Sequence, residues 1–226
     1  MRINTVVFIS MLPLIMKNRF LIILFGLLFC IPNVNAQNDN LEPVESIFDD
    51  YDFQFEYYSL IRKILMNGMS DYPEVRFLII PSFSVEEVVA IEKENEKYFI
   101  VHHKMSKSIW YTDKNKEKIK VKKKKVEILE SDIKLYKELF KKAITHRKYP
   151  DKELMGLDGV NYYFSVADRP LKTGTVWSPK SGSKMDRLKE VGYSLISLAN
   201  DTKEDGKVEL KTELIERIKK LTNEIK

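Results

Sequence analysis

The sequence predicts an α+β domain with a predominantly antiparallel sheet, helices packed outside it and a helix pair at the C-terminus. Short β-prone runs follow one another through residues 74–128 with brief polar connections, which favours antiparallel neighbours. Residues 131–148, 183–199 and 210–225 place apolar side chains at helical spacing. A regular alternation of strand and helix is absent, which argues against a doubly wound parallel sheet.

The first 36 residues have the three parts of a secretory signal. A basic region with Lys17 and Arg19 precedes a twelve-residue apolar core, Phe20 to Ile31, and a V-x-A ending at Ala36. The core is shorter than the roughly 20 apolar residues that span a membrane. We expect cleavage after Ala36 and export to the periplasm or the medium of a bacterium. Residues 1–15 are interpreted as an extension from a misplaced start codon.

Cysteine and charge usage support this interpretation. Cys30 is the single cysteine, so residues 37–226 contain none, whereas small exported animal domains usually carry disulfides. Three of the bases lie in residues 1–36, which hold no acid, and subtracting them from the net charge of +5 leaves +2. This small excess and the predicted export both disfavour nucleic acid as a partner. We expect one α+β domain over residues 53–226.

An acidic segment follows the predicted signal. Residues 37–52 contain six acids and no base, so we expect a flexible lead-in that is either mobile or loosely docked. Apolar residues at helical spacing between 57 and 65, followed by Asn67-Gly68, predict the first helix and its end. The segment PEVRFLIIPSF, residues 73–83, predicts a short β-type run bounded by Pro73 and Pro81.

A hairpin is predicted from two β-prone runs, Val85–Ile91 and Tyr98–His103, which flank the polar connection EKENEK. Ser108–Tyr111 is predicted to add a third strand. In the run IKVKKKKVEIL that follows, the first two apolar residues share one parity and the last two share the other. Either a bulge lies within Lys122–Lys125 or the strand changes its role there.

The strongest helix signal covers residues 131–148, with Ser131 predicted as N-cap and Asp132 at the positive end of the dipole. Asp158-Gly159 predicts a turn, and alternation from 160 to 166 predicts a strand that pairs with residues 175–177. The next two helices are predicted from capping and apolar spacing. Ser183 and Asp186 are predicted to cap the earlier of these two helices, whose apolar face consists of Met185, Leu188, Gly192, Leu195 and Ala199. The apolar face of the C-terminal helix consists of Leu210, Leu214, Ile218, Leu221 and Ile225.

Two short patterns match motifs of penicillin-recognising serine enzymes. KTG stands at 172–174 and S-x-x-K at 181–184. In those enzymes S-x-x-K comes first and a middle S-x-N or Y-x-N element completes the site, whereas here the order is reversed and no middle element occurs. The surroundings also lack an apolar pocket that would desolvate the lysine. We interpret the patterns as a loop and a helix cap, and assign no catalytic residue.

Metal and cofactor signals are weak. The chain has three histidines, and adjacent His102 and His103 on a strand would point to opposite faces. His146 is expected at a helix C-terminus. No metal-ligand spacing and no glycine-rich phosphate loop occurs. The sequence therefore predicts neither a metal nor a cofactor.

A run of lysines is the strongest electrostatic feature. Residues 104–125 contain ten lysines and two acids, with Trp110 and Tyr111 nearby as candidate aromatic contacts. Such a run suits an anionic envelope component. Lysines also protect the edges of sheets against aggregation, and the acidic lead-in offers internal partners. The candidate binding residues, hereafter the basic strip, are Lys118, Lys120, Lys122, Lys123, Lys124 and Lys125.

Trp110 and Trp177 have two interpretations. Each is a candidate platform for a sugar or a peptide, but their β context favours packing in the core. We therefore expect both indoles to be buried.

Three phrases, PEVRFLIIPSFSVEEVVAIEK, SIWY and GLDGVNYYFSV…WSP, are similar to those of an uncharacterised family of small exported bacterial proteins. The resemblance spans about residues 57–200. It implies that Asp158-Gly159, Tyr163-Phe164 and Trp177-Ser178-Pro179 form a structural unit. It implies no activity, cofactor or catalytic residue.

Two functions remain open. The first is a non-catalytic binding module for a protein or an anionic component of the envelope, favoured because no catalytic constellation is evident. The alternative is a small hydrolase acting on envelope material through residues scattered in the sequence. Its candidate residues are His103, Asp158, Tyr163 and Ser178. A pocket that joins two or more of them would favour the enzyme.

Overall fold

The computed structural model describes residues 39–44, 52–150, 158–203 and 206–226. Over these residues the chain forms one eight-stranded sheet and four α-helices, which confirms the predicted α+β fold. The predicted signal peptide lies outside the described residues. The strands are β1 (Glu42–Val44), β2 (Val75–Pro81), β3 (Glu87–Glu94), β4 (Lys97–Met105), β5 (Val121–Ile128), β6 (Val160–Val166), β7 (Lys172–Trp177) and β8 (Lys207–Val208). The helices are α1 (Asp52–Leu60), α2 (Glu130–Thr145), α3 (Lys184–Asp201) and α4 (Thr212–Glu224).

The strand order is β1-β7-β6-β2-β3-β4-β5-β8. Neighbouring strands are antiparallel, except that β8 pairs parallel to the end of β5. Strand β2 lies near the middle, and all seven of its residues are buried. Both faces of the sheet must therefore be covered.

The two faces are covered unequally. Helices α2, α3 and α4 cover the first, here called the helix face, where Phe77, Ile100 and Phe164 are fully buried. On the opposite face, the cleft face, α1 and the 106–120 loop cover a smaller cluster that includes Leu78 and Val88. Helix α1 continues there as a single π-helical turn, Ile61–Leu65. Among the described helices, none is long and apolar enough to cross a membrane.

The β3–β4 hairpin is confirmed, with longer strands than predicted. Its turn consists of Asn95 and Glu96 alone, with φ of 45° and 68°. Two left-handed residues match the right-handed twist of the flanking strands, as in a type I′ turn.

The apolar residues of β5 change from one face to the other along the strand, and no bulge is involved. Its register with β4 is uninterrupted from Val121 opposite Met105 to Ile128 opposite Tyr98. Val121 therefore packs on the cleft face, while Val126 and Ile128 join the core of the helix face. The strand changes its role, as one of the two alternatives predicted.

Part of the acidic lead-in is docked. Residues Glu42–Val44 pair with β7, and Leu41 beside them is fully buried. A side chain on Gly174 of β7 would meet Leu41 at 2.9 Å, so glycine is needed for this close approach. Residues 45–51 lie outside the described part of the chain.

Helix caps follow the prediction once and depart from it once. Ser183 caps α3, and its hydroxyl accepts a hydrogen bond from the Asp186 N–H at 3.1 Å. The prediction of Ser131 as N-cap is wrong, because α2 already begins at Glu130 directly after β5. Asp132 lies in the first turn and accepts the N–H of Leu210 at 3.2 Å, which attaches the approach to α4.

The predicted strand at Ser108–Tyr111 is wrong. These residues lie in the 106–120 loop, which the Ser106 N–H closes by donating to the carbonyl of Lys120 at 2.9 Å. The Ser108 hydroxyl and the Ile109 N–H donate to the buried carboxylate of Glu86, and the Trp110 N–H donates to the Ser108 hydroxyl, instead of to a neighbouring strand.

Gly192 on α3 should be a site where alanine destabilises the fold despite its better helix propensity. A Cβ there would lie 2.6 Å from the ring of Phe77, which is fully buried and cannot retreat. Overpacking costs about 1–3 kcal/mol, against a propensity gain of about 1 kcal/mol. Because a 2.6 Å approach forces the ring or the helix to shift, the overpacking cost should lie in the upper part of this range, and we expect Gly192→Ala to lower the free energy of unfolding in urea by roughly 1–2 kcal/mol. Ser197→Ala, on the exposed side of α3, is the control; equal stability of the two variants would contradict the packing argument.

Candidate functional site

The candidate site is a surface cavity on the face of the sheet that α1 and the 106–120 loop cover, at the end of β2 and the beginning of β6. Its cavity has a volume of about 280 Å³. The lining residues come from α1, the end of β2, the 106–120 loop and the start of β6. They are Tyr57, Tyr58, Ile80, Pro81, Ser82, Phe83, Trp110, Tyr111, Asp158 and Asn161. Half of them are aromatic, and we call this site the aromatic cleft.

Three of the aromatic side chains are unusually exposed. Phe83 is 70% exposed, Trp110 54% and Tyr111 56%. The indole of Trp110 meets the ring of Tyr57 edge-on, with centroids 5.4 Å apart and planes at 83°. Tyr57 and Tyr58 pack in the same way at 5.4 Å and 69°. Contiguous exposed aromatic surface of this kind marks a binding site more often than isolated apolar residues do.

A buried carboxylate holds the loop that carries Trp110. Glu86 is fully buried and accepts hydrogen bonds from the Ser108 hydroxyl at 3.1 Å and from the Ile109 N–H at 3.1 and 3.2 Å. The Tyr57 hydroxyl donates to the same carboxylate at 2.9 Å. Glu86 therefore joins α1 to the 106–120 loop and fixes two walls of the aromatic cleft relative to each other.

The phenol of Tyr57 stays protonated in this arrangement. Burial raises its pKa above the usual value, and the charge of Glu86 and the hydrogen bond to it act in the same direction. Tyr57 is thus a permanent donor to Glu86, and its ring is held edge-on to Trp110.

The third wall of the cleft is a turn built around a glycine. The Ser82 N–H donates to the Gly159 carbonyl at 2.8 Å, and the Gly159 N–H donates to the Ser82 hydroxyl at 3.1 Å. A side chain at Gly159 would overlap the indole of Trp177 and the hydroxyl of Ser178. The Ser178 hydroxyl in turn accepts the N–H of Val160 at 2.9 Å. Asp158, at the mouth of the cleft, is placed by this turn.

The expectation that both tryptophans are buried is wrong for Trp110. Its loop lies over the cleft face, where Ile109 is fully buried and its N–H bonds to Glu86, while the indole of the next residue stays at the surface. Trp177 is half-buried against Gly159 at the end of β7. Tyr111 is also at the surface, where its hydroxyl donates to the Ser82 carbonyl at 2.7 Å.

The basic strip lies on an open edge of the sheet. Strand β8 pairs only with Glu127 and Ile128, so the outer side of residues 121–126 has no neighbouring strand in the described chain. Lys123 and Lys125 lie on the cleft face of β5, where Lys123 donates to the Asn67 carbonyl at 2.7 Å and Lys125 pairs with Glu94 at 2.5 Å.

The other four lysines of the basic strip are Lys118, Lys120, Lys122 and Lys124. Within the described residues, none of the four forms an ion pair. The described end of the acidic lead-in pairs with β7, at the opposite side of the sheet.

Asp158 and Ser178 both lie beside Gly159, but the four residues considered for hydrolysis do not line one common pocket. Tyr163 and His103 lie in one row on the cleft face, but Leu78 and Val88 stand between them. Three strand spacings amount to about 14 Å. Of the four, Asp158 alone lines the aromatic cleft.

The two adjacent histidines point to opposite faces, as predicted. His102, on the helix face, donates from Nε2 to Oε1 of Glu87 at 2.6 Å, and Lys104 donates to Oε2 of Glu87 at 3.0 Å. His103, on the cleft face, donates from Nδ1 to the Leu65 carbonyl at 2.7 Å. In the described part of the chain no three His, Cys, Asp or Glu side chains converge as metal ligands would.

The sequence did contain a signal for Glu86 that the search for motifs missed. Glu86 and Glu87 stand side by side within an apolar β-prone run, and adjacent strand residues face opposite sides. One acid must then enter each core and find donors there.

Comparisons with protein-family models, curated proteins and solved structures gave no match. The resemblance to a family of exported proteins stays a prediction from the sequence, and the function is argued from the cleft itself.

Glu86→Gln should loosen the 106–120 loop. The amide nitrogen that replaces one carboxylate oxygen is a donor and would oppose the Ile109 N–H or a hydroxyl donor. An unsatisfied buried polar group costs about 1–3 kcal/mol. We expect a loss of that size in urea unfolding, together with faster tryptic cleavage at the lysines of the loop. Glu117→Gln, an exposed acid in the same loop, is the matched control; unchanged cleavage in Glu86→Gln would contradict the tether.

His103 should make stability pH-dependent below neutrality. Burial lowers its pKa; the bond to the Leu65 carbonyl opposes this, and the positive charges of Lys123 and His102 lower it further. The unfolded state, with a histidine pKa of about 6.5, therefore takes up a proton before the folded state does. The free energy of unfolding should fall as pH drops from about 6.5 through the folded-state pKa.

His103→Asn tests this, because the amide keeps a donor for Leu65 and does not titrate. In urea unfolding at pH about 7.5, 6.5 and 5.5, its stability should fall less steeply than that of the unaltered protein. An equal slope in both proteins would show that His103 is not the group responsible.

Proposed function

We propose that the protein is an exported, non-catalytic binding module and that the aromatic cleft is its binding site. The observation that carries the proposal is the exposure of Phe83, Trp110 and Tyr111 around one cavity. Leaving large apolar rings in water lowers solubility and gains nothing for folding, so a ligand is the simplest reason for them. Export rests on the signal predicted in residues 1–36.

The cleft is built in a way that suits binding. Its walls are fixed by the carboxylate of Glu86 and the turn at Gly159, so little ordering is needed when a ligand enters. Rigid aromatic side chains offer large contact area at a small cost in entropy.

Hydrolysis finds less support in the geometry. A general base or nucleophile must stand within hydrogen-bond reach of its partner. Asp158 is separated from His103 by the width of several strands, and the Ser178 hydroxyl is bonded to the backbone of Val160. The aromatic cleft thus offers contact surface, with a single carboxylate at its mouth among the described lining residues.

Polyanion binding at the basic strip is a second candidate function. It is favoured by Lys118, Lys120, Lys122 and Lys124, which form no ion pair within the described residues. Edge protection explains the same lysines, since they lie on the open side of β5. Binding at this strip would weaken steeply with salt.

The test is a ligand panel observed by saturation-transfer NMR on the full chain. The panel contains neutral mono- and disaccharides, short peptides, organic ammonium ions and an anionic polysaccharide. We expect at least one small ligand to bind, with affinity reduced at least tenfold in the double variant Trp110→Ala/Tyr111→Ala. Both side chains are more than half exposed, so the variant should fold.

Tyr149→Ala is the matched control, because Tyr149 is 74% exposed and lies outside the cleft. Binding that survives the double variant but is lost when Lys122 and Lys124 become serine would move the site to the basic strip. No binding by any panel member would contradict the proposed function.

A further inference from the structure

Over the residues that the structure describes, the lining of the aromatic cleft contains an acid and no basic side chain. Among its described lining residues, Asp158 is the single charged side chain, and none is lysine, arginine or histidine. This is unexpected in a protein with a net positive charge and a lysine-rich loop next to the site.

A second negative charge stands directly behind the aromatic wall. Glu86 is fully buried, and every hydrogen bond described for its carboxylate comes from a neutral donor: the hydroxyls of Tyr57 and Ser108 and the N–H of Ile109. These donors stabilise the charge but do not cancel it. Inside a protein the field of such a charge is screened much less than at the surface.

The aromatic rings add to this field. The face of an aromatic ring is negative and attracts cations, most strongly for tryptophan. Trp110 and Tyr57 stand at 83°, and Tyr57 and Tyr58 at 69°, so the rings present differently oriented surfaces around one cavity. Several rings in different planes are the arrangement that surrounds a rounded cation.

We propose that the aromatic cleft binds the quaternary or methylated ammonium group of a small organic cation, with Trp110 and Tyr57 against its methyl groups and Asp158 at the mouth. This inference rests on the proposed function and names its ligand class. The cavity, at about 280 Å³, lies just below the usual range of roughly 300–1,000 Å³ for ligand sites, which suits a small head group.

Other cations fit the site less well. Metal ions such as Ca²⁺ need six or more oxygen ligands, whereas the described lining offers one carboxylate. A primary ammonium is strongly hydrated and loses its water reluctantly, while methyl groups make the cation easier to desolvate against aromatic rings. A neutral sugar would stack on Trp110 but would gain little from the charge of Glu86.

The experiment is isothermal titration calorimetry on the full chain with choline and with 3,3-dimethyl-1-butanol. The second compound has the same shape, but carbon replaces the charged nitrogen. We expect choline to bind at least tenfold more tightly than the butanol, because the charge is the recognised feature. Tetramethylammonium should also bind, since it contains the ammonium group alone.

Two variants test whether the cation binds in the aromatic cleft. Trp110→Ala should weaken choline binding at least tenfold, and Asp158→Asn should weaken choline severalfold while leaving the butanol unchanged. Glu117→Gln, which removes an exposed acid from the same loop, should change neither.

The outcomes separate this inference from the proposed function. Equal affinity for choline and the butanol, or choline binding that survives Trp110→Ala, would overturn the ammonium assignment. Binding of a neutral sugar or peptide at Trp110 without binding of choline would overturn it too, but would leave the aromatic cleft as a binding site. The absence of any ligand would overturn both.

Discussion

The structure depends on the burial of β2 from both sides. A strand with seven buried residues in the middle of an eight-stranded sheet needs cover on each face, because its apolar side chains alternate between them. Three helices supply the cover on the helix face. The cleft face has α1, one π-helical turn and the 106–120 loop. The aromatic cleft lies between these covering elements, at the end of β2 and the beginning of β6.

A loop that covers a sheet leaves backbone donors without strand partners, and Glu86 supplies an acceptor for them. The backbone of Ser108–Tyr111 lies over the sheet without pairing with a strand, so its donors need other partners. The buried carboxylate of Glu86 accepts from the Ile109 N–H and the Ser108 hydroxyl, and that hydroxyl accepts from the Trp110 N–H. The bond from Tyr57 to Glu86 extends the arrangement to α1. One charged group thereby both completes the fold and shapes the candidate site.

Periodicity in the sequence was sufficient for most of the architecture, because one-sided burial imposes it on α3 and α4. It failed where a residue's partner is distant in sequence. Nothing local in SIWY indicates that its donors bond to Glu86, 22 and 23 residues away, and so the run was predicted as a strand and Trp110 as buried. The aromatic cleft could not be predicted, since its walls come from four separated segments.

The most conspicuous charges in the sequence and the charges of the candidate site lie in different places. Lysines of the basic strip stand on the open edge of β5, where some are bonded to the backbone or to an acid and where repulsion also opposes pairing with another sheet. The two acids at the aromatic cleft are Glu86, which is buried behind its wall, and Asp158, which lines it, and neither stands out in the overall composition. Because buried charge acts strongly over short distances while exposed charge is screened, a net charge of +2 for residues 37–226 is compatible with a site that selects cations.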